Sequence, residues 1–130
     1  MGSSSPRPVV LDAGALIAFE RADLLMLRLV ELAVGHDRVL HVPAGVVAQV
    51  WRDGGCQVRL ARLIGSSSVE VTPLDLTEAQ ATGALCGLTD TADIVDSSVA
   101  LLTRRLRATV VTSDPQDIRR LDATLSVVSC

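Results

Sequence analysis

Aromatic side chains are nearly missing from this chain: Phe19 and Trp51 stand alone and there is no Tyr. A module that reads nucleic acid by stacking bases needs exposed aromatic platforms, so this scarcity argues against that class. Lysine is missing too, every basic residue being Arg, and a net charge of −3 leaves no broad basic surface to grip nucleic acid non-specifically. A nuclease that holds its substrate through metal ions and a few arginines survives that test. The three cysteines, Cys56, Cys86 and Cys130, are odd in number and fit no zinc or CxxC spacing. They read as reduced thiols, and the expected location is cytoplasmic. No apolar run reaches the roughly 18 residues of a membrane span, so no membrane partner is expected. Residues 1–7 lack the apolar middle of a signal peptide and read as a disordered lead-in. No Gly-rich phosphate loop occurs, and neither His36 nor His41 belongs to a recognisable nucleophile motif.

What remains is a chain of 130 residues, 48% apolar and built on Val, Leu and Ala. That is one domain's worth, expected over residues 8–130. Strands are predicted at Val9 to Leu11, Val39 to Val42, Val69 to Val71, Thr109 to Thr112 and Leu125 to Val128. Between them, helices are predicted over Ala13 to Glu20, Leu24 to Val34, Ala44 to Arg52, Cys56 to Ile64, Leu76 to Leu88, Asp93 to Leu106 and Asp117 to Leu121. Leu25, Leu29 and Leu32 are expected to form the packed face of the second helix, and Thr77 to cap the fifth. Strands alternating with helices imply an α/β fold with a parallel sheet covered on both faces.

The chemistry is legible where strands stop. Val9-Val10-Leu11 ends on Asp12, and Val110-Val111-Thr112-Ser113 ends on Asp114 before Pro115, with Asp117 on the following helical turn. In open α/β sheets ligands bind at the carboxyl ends of strands, so two strands ending in carboxylates suggest one acidic site. Asp93 and Asp96, three residues apart, share one face of a helix start. Each suits a capping role, but Asp96 falls among Val95, Val99 and Ala100, where an acid is costly unless paired or metal-bound. Converging carboxylates repel unless a cation sits among them, and oxygen donors favour Mg²⁺ or Mn²⁺. Such an ion activates water and neutralises a phosphate in flight, which phosphodiester hydrolysis requires.

These residues resemble the PIN-domain family, specifically the small VapC-like toxins of bacterial toxin–antitoxin pairs. The resemblance runs from Val9 to Val128 through four pieces in order: Val9 to Ala18, Val42 to Arg52, Asp93 to Leu102 and Val111 to Ile118. It implies a three-layer α/β/α sandwich around a central, mainly parallel sheet, and a Mg²⁺- or Mn²⁺-dependent ribonuclease acting on RNA. By position it implies Asp12, Asp96 and Asp114 as the catalytic and metal-holding core, Asp117 as a supporting ligand, and Asp93 as a further one. Thr112 or Ser113 would hydrogen-bond a carboxylate or a water. It also implies a small antitoxin partner and a homodimer; the leucine-rich helix Leu24 to Val34 and the Val46 to Ile64 region are candidate seats for an apolar antitoxin helix, with burial in the core the plainer reading for most of those residues. Arg52, Arg59 and Arg62 are candidate phosphate contacts, with solubilising helix-face residues as the plain alternative.

One position departs from the pattern. The family's middle helix usually carries a Glu just before the Val-Trp-Arg sequence; here Gln49 stands there. A Gln amide offers an oxygen but no charge and cannot act as a base. Either the aspartates suffice, or Glu20 substitutes, or the domain is a catalytically weakened binding or regulatory module. A receiver domain would need a strand-end Lys, and a haloacid-dehalogenase-type phosphatase an Asp-x-Asp at the first strand; neither is present.

Overall fold

The computed structural model describes residues 7–130. Residues 1–6 of the expected lead-in lie outside the described residues. Five strands form one sheet: β1 (Val9–Leu11), β2 (Leu40–Pro43), β3 (Val69–Thr72), β4 (Thr109–Thr112) and β5 (Ser126–Ser129). Their order is β3-β2-β1-β4-β5, and every neighbouring pair is parallel. The central strand is apolar and wholly buried on both sides, as a parallel sheet with two covered faces demands.

Seven helices connect the strands: α1 (Ala13–Glu20), α2 (Leu24–Gly35), α3 (Ala44–Val50), α4 (Val58–Ile64), α5 (Leu76–Thr89), α6 (Ile94–Leu106) and α7 (Pro115–Leu121). Right-handed crossovers put the helices that lead from β1 to β2 and from β2 to β3 on one face. The return from β3 to β4, and the step to β5, put α5, α6 and α7 on the other. Contacts agree: α1 packs on β1 and β4, α3 on β2 and α4 on β3, while α6 crosses β1, β2 and β4 and α7 covers β5. The result is a three-layer α/β/α sandwich. Val10, Leu11, Leu16, Val42, Val46, Val99, Val110 and Ile118 form the heart of its core.

The sheet changes its direction of growth between β1 and β4. Strands added after β1 go one way and β4 and β5 go the other, so the carboxyl ends of β1 and β4 flank a topological switch point. That is where an open α/β sheet leaves a crevice.

Several local expectations change. The packed face of α2 is Met26, Val30 and Ala33, whereas Leu25 is 81% exposed and Leu32 46%. Nearly every position of α2 is apolar, so periodicity cannot choose its face. The cap does: the Asp23 carboxylate accepts from the Met26 N–H at 3.0 Å after a turn through Ala22 at φ 60°. Asp75, accepting from the Glu78 N–H at 2.9 Å, caps α5 in place of Thr77. Helix α3 stops at Val50 and α4 starts at Val58, because Asp53 closes a turn by accepting the Gly55 N–H at 2.9 Å. His41 is half-buried in β2, its Nδ1 lying 3.6 Å from Glu70 of β3. Burial lowers its pKa, with the Glu70 charge opposing and that of Arg105 adding to the fall.

Candidate active site

The switch point is assembled by backbone register. Leu11 pairs with Val111, which sets Asp12, just past β1, beside Thr112, the last residue of β4, and the Asp12 N–H donates to the Val111 carbonyl at 3.2 Å. Asp12 also caps α1, its carboxylate accepting from the Ala15 N–H at 2.9 Å. It is only 6% exposed. Burial pushes its carboxyl up, the Thr112 hydroxyl and the Ala15 N–H hold it down, and the charge of Asp114 raises it again.

Thr112 connects the two strand-end acids. Fully buried, it faces the Asp12 carboxylate and accepts the Asp114 N–H at 2.9 Å. Asp114 occupies the cap position of α7, with Pro115 opening the helix, but makes no side-chain cap bond. Its exposed carboxylate remains available. Asp117, in the first turn of α7, lies 3.5 Å from Arg120 of the same helix.

The α6 terminus supplies the other pair. Asp93 caps it, accepting from the Asp96 N–H at 2.9 Å. Asp96 has its pKa raised from 3.8 to about 7. Burial is the main cause, followed by the charge and hydrogen bond of Asp93 and then the charges of Asp117 and Asp12. The acids of α1, β4, α6 and α7 therefore share one electrostatic neighbourhood. A cleft of about 220 Å³ opens beside them, lined by Asp90, Asp93, Asp96, Asp117 and Arg120.

Gly14 shows how tightly α1 meets the loop that carries Asp114. A Cβ built on Gly14 would lie 2.0 Å from the Ser113 Oγ and 2.5 Å from its Cβ. Ser113 thus sits directly on the first turn of α1, where only glycine leaves room for it.

The remaining candidates lie elsewhere on the surface. Gln49 is exposed on α3, a helix packed against both α1 and α6, the helices that Asp12 and Asp93 cap. Glu20 accepts from the Gln57 amide at 2.7 Å. The same amide donates to the Val50 carbonyl at 2.9 Å, and its oxygen accepts the N–H groups of Arg52 and Asp53 at 2.7 and 2.9 Å. Gln57 thus ties the end of α3 to the end of α1. The Arg52 guanidinium folds onto its own backbone, donating to the Trp51 and Ala48 carbonyls. Arg59 donates to the Glu20 carbonyl at 3.1 Å and, with Arg62, lines a separate cleft of about 610 Å³. The cation lining the acidic cleft is Arg120. Its spacing from Asp117, one helical turn on, was a readable signal in the sequence.

The donor chemistry suits a hard divalent cation, since the side chains gathered there offer carboxylate oxygens. No three His, Cys, Asp or Glu side chains among the described residues are grouped closely enough to cage an ion as they stand.

No family model matches this sequence, and no curated protein does either. Solved structures do match. A chain of the VapBC2 complex from Rickettsia felis, bound to a DNA fragment from its promoter, superposes with a TM-score of 0.71 at 15% identity, covering 94% of this chain and 98% of that one. A chain of FitAcB from Neisseria gonorrhoeae gives 0.63 at 15% identity, covering 92% and 95%. The Mycobacterium tuberculosis VapC20 toxin, which cleaves the sarcin–ricin loop, gives 0.57 at 15% identity, covering 78% and 86%. Together with the all-parallel sheet and its acid-flanked switch point, these likenesses show that the chain has the PIN-domain fold.

Proposed function

We propose that this chain is a toxin-type ribonuclease that hydrolyses RNA phosphodiester bonds with the help of Mg²⁺ or Mn²⁺. The observation that carries this reading is the gathering of strand-end and helix-start carboxylates at the switch point, where burial first and then the neighbouring acids Asp93, Asp117 and Asp12 raise Asp96 to about 7. Asp12, Asp96 and Asp114 would hold the ion, with Asp117 and Asp93 supporting. When bound, the ion supplies the charge that neutralises the phosphate and acidifies a water. The chain's own groups then have defined tasks. Thr112 orients Asp12 and fixes the backbone of Asp114, Ser113 seats the loop on α1, and an ionised aspartate takes the proton of the attacking water. That water adds to phosphorus, the bond to the leaving oxygen breaks, and the proton held by the aspartate passes to that oxygen, giving a phosphomonoester and a hydroxyl.

The neighbours favour a protein partner, since VapBC2 is a complex bound to its promoter DNA. An antitoxin with an apolar helix would suit the exposed leucines Leu24, Leu25 and Leu32 of α2. A catalytically weakened module is the second reading, favoured by Gln49, which brings no charge.

The test is calorimetric titration of Mn²⁺ and Mg²⁺ into the protein and into Asp96→Asn, with cleavage of a mixed RNA pool at each point. Metal binding and metal-dependent cleavage, both lost in the variant, are expected. Folded protein that binds metal but does not cleave supports the weakened module. Neither binding nor cleavage sinks the ribonuclease reading.

A further inference from the structure

We propose that Arg120 is the group that grips the RNA phosphate beside the acidic cluster, exchanging its Asp117 partner for a phosphate oxygen when substrate enters. This rests on the ribonuclease reading above and names its substrate contact. Three arginines further along the surface are the obvious candidates from sequence, yet their geometry argues against them. Arg52 is folded back on its own helix end, and Arg59 and Arg62 face the cleft beyond Glu20. Arg120 lines the same cleft as Asp93, Asp96 and Asp117.

Its present partnership is weak by construction. The guanidinium stands 3.5 Å from the Asp117 carboxylate and its side chain is 78% exposed. An exposed pair of this kind is easily exchanged. A guanidinium fork matches phosphate oxygens two at a time, which a lone carboxylate at that distance does not use. The acids of the cleft repel RNA, so a cation at its rim is the group able to bring a phosphate to them.

The plain alternative is a surface pair with no further role. Helix α2 provides the control, because Arg28 and Glu31 form an equally exposed pair at the same three-residue spacing, 2.8 Å apart. A labelled single-stranded oligoribonucleotide is bound to wild type, Arg120→Gln, Arg120→Lys and Arg28→Gln, by anisotropy on ice with Mn²⁺ across a salt series. Cleavage kinetics and Mn²⁺ titration accompany it. Arg120→Gln is expected to weaken RNA binding and raise KM about tenfold, leave Mn²⁺ affinity no weaker, and lower the slope of log affinity against log salt by about one contact's worth. Arg120→Lys restores part of the affinity. Arg28→Gln changes none of these. Equal RNA affinity and salt slope in Arg120→Gln and Arg28→Gln overturns the proposal while wild-type cleavage leaves the ribonuclease reading intact. Wild type that binds RNA without cleaving sinks that reading alone, because the binding comparison still decides Arg120. Wild type that binds no RNA overturns both.

Discussion

Asp96 owes its raised pKa to a place half inside the helix layer, facing Asp93, Asp117 and Asp12. Its folded-state value of about 7 lies above the unfolded one, so between pH 4 and 7 the folded chain keeps a proton that the unfolded chain has released. Stability from this group therefore falls as pH rises through that window and levels off above it. In metal-free buffer, Asp96→Asn should melt with wild type near pH 4 and above it at pH 8, by about 1–2 kcal/mol after allowance for solvent screening. Melting curves in EDTA across pH measure this; equal curves at pH 8 would show that Asp96 is unperturbed. Gln49 poses the complementary question. Gln49→Glu should tighten Mn²⁺ about tenfold if α3 faces the site, since a charged oxygen replaces a neutral one. Unchanged calorimetry would place position 49 outside the ion's reach.

Helix α2 and the α1–loop contact set the terms at the element scale. Because Leu25 faces solvent and Val30 the core, Leu25→Asp should leave the melting temperature nearly unchanged. Val30→Asp should cost on the order of 3 kcal/mol or unfold the chain, since it buries an unpaired charge. The reverse order in thermal melts would restore the leucine row as the packed face. At the α1 terminus, Gly14→Ala forces Ser113 aside at a cost of about 1–3 kcal/mol. Removing the obstructing side chain in Gly14→Ala/Ser113→Gly should recover most of that loss and the Mn²⁺ affinity with it. A double variant no better than Gly14→Ala would locate the strain elsewhere.

For the whole molecule, the acids of four elements are brought into one electrostatic neighbourhood only in the folded state, so an ion held there as proposed would bind the folded chain alone. Saturating Mn²⁺ at about a hundred times its dissociation constant should therefore stabilise the chain by about 2.7 kcal/mol, reversed by EDTA. The gain should be larger at pH 8 than at pH 5, because a protonated Asp96 must lose its proton to serve as a ligand. A melting temperature indifferent to Mn²⁺ at both pH values would count against an ion at this site.

By itself the sequence determined whatever depends on neighbours along the chain. Buried strands announced themselves as β-branched runs, Asp93 as a cap, Asp12 as the acid closing the first strand, and Asp114 by its place between a strand and Pro115. Those signals are local because strand ends, caps and first turns are decided within a few residues. The three-layer architecture and the acidic core were legible for that reason. Only the tertiary structure decided which of several apolar stripes of α2 turns inward, since a helix apolar nearly all round takes its direction from its cap and its neighbours. It also decided that Ser113 rests on Gly14, that Gln57 rather than the acidic cleft receives Glu20, and that Arg120 rather than Arg59 or Arg62 stands beside the acids. Each of those is a meeting of residues far apart in sequence, or of one helix face with another element. Pairwise register and packing fix such meetings, and no spacing along the chain encodes them.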